Sequence, residues 1–291
     1  MPLATVVINP FAGAGRALSY SKEVIKKLTD NGWEVESFCS TSIENAQELA
    51  SQAVDQNRIV IALGGDGLAG RLAGVVADKD GVFAVLPGGR GNDFSTYIGL
   101  KKNPIEAALQ LLQAKPRRID LGMIGQRSFL GVSGVGFDAK VQQVAESSKA
   151  KLGGAIYAYA ALKVIPKWRH INFYLDIDGQ IISMKGWMVG VANSGVYGGG
   201  MKLVPDVKIN DASLEVITIS ATSRMYFLRI FPKVFWGGHT KDPHVRIQHA
   251  AKVTISSDAS LIAYADGEKV GPLPISIGLH PKGLTMLIPE T

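Results

Sequence analysis

The first stretch of about 115 residues alternates short β-branched or apolar runs with segments of helical spacing, and this constrains the fold more than any other feature of the chain. Thr5–Asn9, Trp33–Phe38, Arg58–Leu63 and Val82–Leu86 read as strands. Arg16–Asn31, Ile43–Gln56 and Leu68–Ala77 read as the helices between them. A βαβα order predicts a parallel sheet covered on both faces. Strands buried on both faces should be apolar without interruption, and Ile59–Leu63 and Val82–Leu86 are.

After Lys115–Arg118 the pattern changes. Ser128–Val135, Asn172–Ile177, Gln180–Val191, Leu214–Ser220, Val253–Ser257, Leu261–Tyr264 and Ile275–Ile277 are short strand-like segments, and Asp178-Gly179 is a hairpin signal. Two helical patches, Val141–Val164 and Arg224–Trp236, interrupt them. The expected division is residues 1–120, with 281–291 returning to them through Leu284–Ile288, and residues 121–280 as a second, antiparallel β domain. A length of 291 residues suits two domains.

Composition narrows the function. The formal net charge of +6 favours anionic partners such as nucleotide phosphates or acidic lipids. No motif supports nucleic-acid binding. One cysteine, Cys39, excludes an intrachain disulfide and suits a reducing cytoplasm. The start, Met1–Gly13, does not read as a signal peptide, and no apolar run approaches the roughly 18 residues of a spanning helix. The five histidines show no zinc-ligand spacing.

Three glycine-rich loops carry the chemistry. Gly64-Gly65-Asp66-Gly67 leaves an apolar strand and opens a helix, whose unpaired N–H groups and dipole suit a phosphate. Its glycines are expected to reach positive φ and to let the backbone approach the ligand. Asp66 repels phosphate, so its expected task is to orient a metal ion, a water or neighbouring donors. Asn9-Pro10-Phe11-Ala12-Gly13-Ala14-Gly15-Arg16 ends the first strand in the same way, with Arg16 as a phosphate partner. No Gly-Lys-Ser/Thr follows, so it is not a P-loop. Pro87–Phe94 follows the fourth strand. Topology places all three loops at one edge of the sheet, where ligands of such folds bind.

These residues resemble the diacylglycerol kinase catalytic family in its soluble bacterial form, with sphingosine kinases as relatives and NAD kinases as more distant ones. The matching run is Asn9-Pro10…Gly13, Gly64–Gly67, Pro87–Phe94, Asp120-Leu121-Gly122, Gly134–Asp138, Val191–Asn193, Tyr197–Met201, Pro205-Asp206, Asp211–Leu214 and Asp266-Gly267-Glu268. The resemblance covers essentially the whole chain in the family's order. It implies a Rossmann-like parallel α/β nucleotide-binding domain, then an antiparallel β-sandwich, with the active site between them.

Residue roles follow from the same resemblance. Asn9, Pro10, Gly13, Arg16, Ser40, Thr41, Gly64, Gly65, Asp66, Gly67 and Arg90 would line ATP. Glu268 would take the proton from a lipid hydroxyl, and Asp266 would support it and the catalytic Mg2+. Asp66, Asp93 and Asp120 would form an acidic network near that metal. A structural Mg2+ would sit on the loop of Lys208, Asp211 and Ser213. The chemistry suits these residue types: a carboxylate activates a poor alkyl hydroxyl, and magnesium with cationic donors stabilises the charge of phosphoryl transfer. Leu68, Gly70-Arg71, Arg90, Ser95-Thr96 and Ala212 depart from the family pattern. Leu68 removes a hydroxyl, Ser95-Thr96 loses a cation, and Ala212 replaces a glycine in the metal loop.

The expected activity is ATP-dependent phosphorylation of a diacylglycerol-like lipid, giving phosphatidate, by a cytoplasmic protein bound peripherally to the inner face of an anionic membrane. A homodimer is left open. Other acceptors (a sphingoid base, acylglycerol, glycolipid or NAD) and a non-catalytic lipid or nucleotide sensor remain alternatives. Two basic segments bear on membrane contact. Arg224–Lys241 mixes Arg224, Arg229, Lys233 and Lys241 with aromatic residues, and its favoured reading is a helix packed on the sandwich with solvated cations. Lys149, Lys151, Lys163, Lys167 and Arg169 form the other.

Overall fold

A computed structural model describes residues 1–148 and 155–290. Lys149 and Lys151 of the second basic segment, and part of the Val141–Val164 helical patch, lie outside the described residues. The chain divides into two compact units. Unit 1 holds Met1–Leu121, Arg127–Leu130 and the segment from His280 onward; unit 2 holds Gly122–Gln126 and Gly131–Leu279.

Unit 1 is built from β1 (Leu3–Ile8), α1 (Arg16–Asp30), β2 (Glu34–Cys39), α2 (Ile43–Asp55), β3 (Ile59–Gly64), α3 (Asp66–Asp78), β4 (Val82–Pro87), α4 (Asp93–Tyr97) and α5 (Pro104–Leu111). The strands pair in parallel in the order β2-β1-β3-β4. Helix α1 packs with α5 and α2 with α3. The chain therefore leaves β1 toward one neighbour and β3 toward the other, which makes the carboxyl ends of β1 and β3 a topological switch point. Val6, Val7, Val60, Ile61, Leu63, Phe83 and Leu86 fill the core. Arg58, buried at the start of β3, ties three strands by donating to Thr5 Oγ1 at 3.2 Å, the Ala4 carbonyl at 3.1 Å and Glu34 Oε1 at 3.1 Å. The short helices α4 and α5 were absent from the sequence reading. For α5 the signal was present: Asn103 caps the Ile105 amide and Pro104 occupies the first turn.

Two strands, β5 (Lys115–Ile124) and β6 (Arg127–Phe129), pair with each other. Unit 2 continues with β7 (Val132–Gly136), α6 (Phe137–Ser147), α7 (Ala155–Val164), β8 (Ile171–Ile177), β9 (Gln180–Ala192), β10 (Val196–Tyr197), β11 (Met201–Lys202), β12 (Leu214–Ser220), α8 (Arg224–Ile230), β13 (Val245–Ala250), β14 (Lys252–Ser257), β15 (Ile262–Ala265), β16 (Glu268–Pro272) and the start of β17 (Ile275–Ile288), which from His280 onward belongs to unit 1. Its strands are antiparallel, and β9 is the pivot. The first half of β9 pairs with β8, which continues through β14 to the start of β17. The second half of β9 pairs with β7 on one side and β12 on the other, extending to β15–β16 and β13. Asp178 and Gly179 both take positive φ in the β8–β9 hairpin. Later in its length β17 pairs in parallel with β4 of unit 1, through Thr285 and Met286.

The Arg224–Trp236 patch is not one α-helix. Helix α8 ends at Ile230 and a 3-10 segment runs from Phe231 to Trp236. Pro232 has no N–H to continue the α pattern.

Candidate active site

In unit 1 the three glycine loops meet backbone to backbone. The Asn9 amide donates to the Leu63 carbonyl at 3.1 Å, and the Gly88 amide to the Gly64 carbonyl at 2.7 Å. A Cβ on Gly13 would lie 2.5 Å from the Gly88 carbonyl oxygen, and one on Gly89 would lie 2.5 Å from the Gly65 Cα. These distances belong to the main chain, so a side chain cannot be accommodated by a rotamer change. Here the structure corrects the sequence reading: Gly64, Gly65 and Gly67 do not adopt positive φ. What Gly64 and Gly65 supply is loop-to-loop proximity. Positive φ occurs instead at Gly13 and at Asn92, whose carboxamide accepts the Gly89 amide at 2.7 Å and donates back to the Gly89 carbonyl at 3.0 Å.

Asp66 orients donors, one of the roles anticipated for it. Its Oδ2 accepts the Asp93 amide at 3.1 Å and its Oδ1 the Phe94 amide at 3.0 Å, which caps α4. Burial pushes its carboxyl above the usual range, and those amides pull it back. Asp93 lies beside it: a Cβ on Gly91 would meet Asp93 Oδ2 at 3.2 Å and Asp66 Oδ2 at 3.3 Å. Asp120, fully buried, accepts the Lys282 amide at 2.7 Å. Ser40 is buried and donates to the Ile8 carbonyl at 3.2 Å, whereas Thr41 is exposed. The Arg16 guanidinium is directed to the Lys102 carbonyl. Arg90 is exposed on its loop. Leu68, where the family pattern has a hydroxyl, is buried and packs over Gly64.

Unit 2 holds the other candidate residues. Asp266 and Gly267 form the two-residue turn between β15 and β16, with φ of 49° and 77°. Gly131 anchors this turn. Its amide donates to Asp266 Oδ1 at 2.8 Å, and its carbonyl accepts the Asn193 and Ser194 amides at 2.9 and 3.1 Å. A Cβ on Gly131 would stand 2.6 Å from Asp266 Oδ1, so only glycine fits. Gln142 of α6 donates to the Gly267 carbonyl at 2.9 Å, which fixes the turn from the helix side. Glu268 follows, half-buried. Sequence reasoning did not single out Gly131, Gln142, Ser133 or Ser194. Ser133 and Ser194 are buried hydroxyls in apolar company, and that company was their only sequence signal.

The loop of Lys208, Asp211 and Ser213 keeps a tight turn. Asp211 Oδ1 accepts the Ser213 amide at 3.2 Å, and Ala212 takes φ of 60°, the conformation a glycine would supply. Lys208 and Asp211 are exposed. Among the described residues no three acidic, histidine or cysteine side chains converge as a metal centre. Paired carboxylates and main-chain oxygens are a donor set that suits Mg2+, which keeps several waters.

Residues 3–124 match the diacylglycerol kinase catalytic domain, and residues 131–288 match the YegS C-terminal NAD kinase beta sandwich-like domain. A diacylglycerol kinase of Mycobacterium tuberculosis (strain H37Rv) is 30% identical over 294 residues, covering 98% of this chain and 95% of the relative. This chain belongs to the diacylglycerol kinase family. The Bacillus subtilis diacylglycerol kinase is 25% identical over 279 residues, covering 94% of this chain and 92% of its own length. The crystal structure of a diacylglycerol kinase from Bacillus anthracis shares the fold, with a TM-score of 0.80 and 22% identity over 99% of this chain and 96% of that one. The protein is thus a lipid kinase, with a mixed α/β unit of parallel strands and a second unit of antiparallel β-sandwich type. Such kinase domains imply ATP and usually a divalent metal. No helix among the described residues is long and apolar enough to cross a membrane.

Proposed function

We propose that the chain transfers the γ-phosphoryl group of ATP to the free hydroxyl of diacylglycerol, giving phosphatidate and ADP. The observation that carries this reading is the anchored Asp266-Gly267-Glu268 turn. Gly131 holds the Asp266 carboxylate and Gln142 the Gly267 carbonyl, so the Glu268 carboxylate is presented from a fixed strand end. Glu268 takes the hydroxyl proton as the oxygen attacks the γ-phosphorus, and the bond to the β-phosphate oxygen breaks. Asp266 positions that turn. The loops of Asn9–Arg16, Gly64–Gly67 and Pro87–Phe94 hold the nucleotide, with main-chain amides facing its phosphates. Asp66 keeps the third loop closed against the second. Asp93, with Asp66 beside it, would hold a catalytic Mg2+, and the turn at Lys208, Asp211 and Ser213 a structural one. Bound there, the metal supplies neutralisation of phosphate charge.

The reaction would take place at the cytoplasmic face of an anionic membrane. The outer side of Arg224–Trp236 supports such contact. Met225, Phe235 and Trp236 are 73%, 42% and 64% exposed, with Arg224, Arg229 and Lys233 among them. The decisive assay is transfer of labelled γ-phosphate from ATP to diacylglycerol in mixed micelles with magnesium. Labelled phosphatidate from the wild type, and a loss of about 10²–10⁴-fold in Glu268→Gln, is the expected result. Absence of phosphatidate, with label entering another lipid of a membrane extract, would replace diacylglycerol as the acceptor.

A further inference from the structure

Helix α6 reaches the hairpin that carries the Asp266-Gly267-Glu268 turn through two side chains one helical turn apart, Gln142 and Glu146. The buried Gln142 amide nitrogen has two N–H groups and uses both. One donates to the Gly267 carbonyl at 2.9 Å, the other to Glu146 Oε1 at 3.2 Å. Glu146 also takes the hydroxyl of Tyr264, on β15. Burial, the Glu146 charge and that bond push the Tyr264 phenol above its usual pKa, so it stays protonated and donates. The bonds close a ring that runs from Tyr264 along the chain to Gly267, across to Gln142 and back through Glu146.

Each member of the ring restricts the next. An amide can rotate end for end, and a reversed Gln142 would turn its Oε1 toward two acceptors, the Gly267 carbonyl and the Glu146 carboxylate. An ionised carboxylate only accepts, so Glu146 leaves Gln142 one favourable orientation. Tyr264 in turn fixes Glu146, a residue otherwise exposed. The first turn of α6 is seated by Asp138, whose carboxyl occupies the space over Gly134, where a Cβ would collide with it. Gly134 is the β7 partner of Tyr264, so the helix and the hairpin are set against the same rung of the sheet. Across the hairpin Lys269 pairs with Tyr264 and Glu268 with Ala265, so a shift of Tyr264 or Gly267 moves Glu268.

We propose that Glu146 is a positioning residue for the candidate base: through Gln142 and Tyr264 it sets where the Asp266-Gly267-Glu268 turn holds the Glu268 carboxylate. Its role rests on the reading of Glu268 as the base. Loss of an exposed side chain costs little stability, whereas a small displacement of a group that takes part in the chemistry costs rate. Glu146 is therefore expected to matter far more to turnover than to folding.

The test uses the whole protein, labelled ATP and a membrane lipid extract in mixed micelles, so the identity of the acceptor does not enter. Glu146→Leu is expected to lower kcat about 10–100-fold with the KM for ATP unchanged. Its melting temperature should stay within about 2 °C of the wild type. Glu146→Gln, which still offers an acceptor oxygen, recovers most of the rate. Gln142→Met loses as much as Glu146→Leu, and the double variant loses no more than either alone. In a Glu268→Gln background Glu146→Leu brings no further loss. A wild-type kcat in Glu146→Leu, a loss confined to KM, or the same fold loss persisting in an impaired Glu268→Gln overturns the assignment. Hydrogen exchange separates this role from the identity of the base. The amides of 265–269 should exchange about tenfold faster in Glu146→Leu, and unchanged exchange overturns the proposal. Faster exchange there, with Glu268→Gln at full kcat, would remove Glu268 as the base and leave Glu146 as the residue that positions the turn.

Discussion

The Asp66 carboxylate accepts the Phe94 amide at 3.0 Å, joining the start of α3 to the start of α4 across 28 residues of sequence. Its other oxygen accepts the neighbouring Asp93 amide. An acid in the second glycine loop is thereby the clasp of the third. Asp66→Asn replaces one acceptor by a donor facing an amide. The variant is expected to lose about 1–3 kcal/mol of stability in urea denaturation, together with nucleotide affinity. A purely catalytic role would leave the denaturation midpoint unchanged.

Gly89→Ala tests the packing of the loops. The new methyl would stand 2.5 Å from the Gly65 Cα, and backbone must yield. The expected cost is about 1–3 kcal/mol, with ATP binding weakened at least tenfold in calorimetry. Gly125→Ala makes a useful contrast: its Cβ meets no neighbour within 4 Å, and its φ of 59° exacts only backbone strain.

Asp138 predicts a pH dependence of stability. Its folded pKa of about 7 lies above that of an unfolded aspartate, about 3.9. The folded state therefore holds the proton more tightly. The associated stability is present in full below pH ~4, declines as pH rises, and is gone above pH ~7, a change of up to about 4 kcal/mol. Asp138→Asn should flatten that part of the profile and raise the melting temperature at pH 8. An unchanged slope would mean that the carboxyl titrates normally.

Ala212 holds a left-handed conformation at φ of 60° in the loop proposed for a structural Mg2+. Ala212→Gly relieves that strain and is expected to stabilise by about 0.5–1 kcal/mol in thermal melts. If added magnesium raises the melting temperature of both proteins equally, alanine does not impair the site.

Much of this was legible from residues. The alternating first ~115 residues gave the parallel sheet because buried strands are uninterrupted apolar runs, and Asp178-Gly179 gave its hairpin because only certain residues tolerate positive φ. The glycines of Gly64–Gly67 were found partly for a reason that did not hold. They were read as supplying positive φ and close approach to a phosphate; the positive φ is absent, and the close approach seen for Gly64 and Gly65 is to Gly88 and Gly89, more than twenty residues away. Gly131 and Gln142 were invisible for a related reason: each acts through a partner, Asp266 or Gly267, that lies over a hundred residues downstream. Arg16 was read as a phosphate partner, and local sequence could not show that its guanidinium also reaches the Lys102 carbonyl.

The strand β17 has a consequence for synthesis. Its Thr285 and Met286 cover the edge of β4, yet all of Gly131–Leu279 is translated between the two. While the nascent chain emerges from the ribosome, β4 therefore waits with an open hydrogen-bonding edge, and such an edge recruits other chains. An isolated fragment ending near Leu130 would keep that edge permanently. Unit 1 is thus tied to complete translation of unit 2, which favours release of finished enzyme over accumulation of a lone first unit.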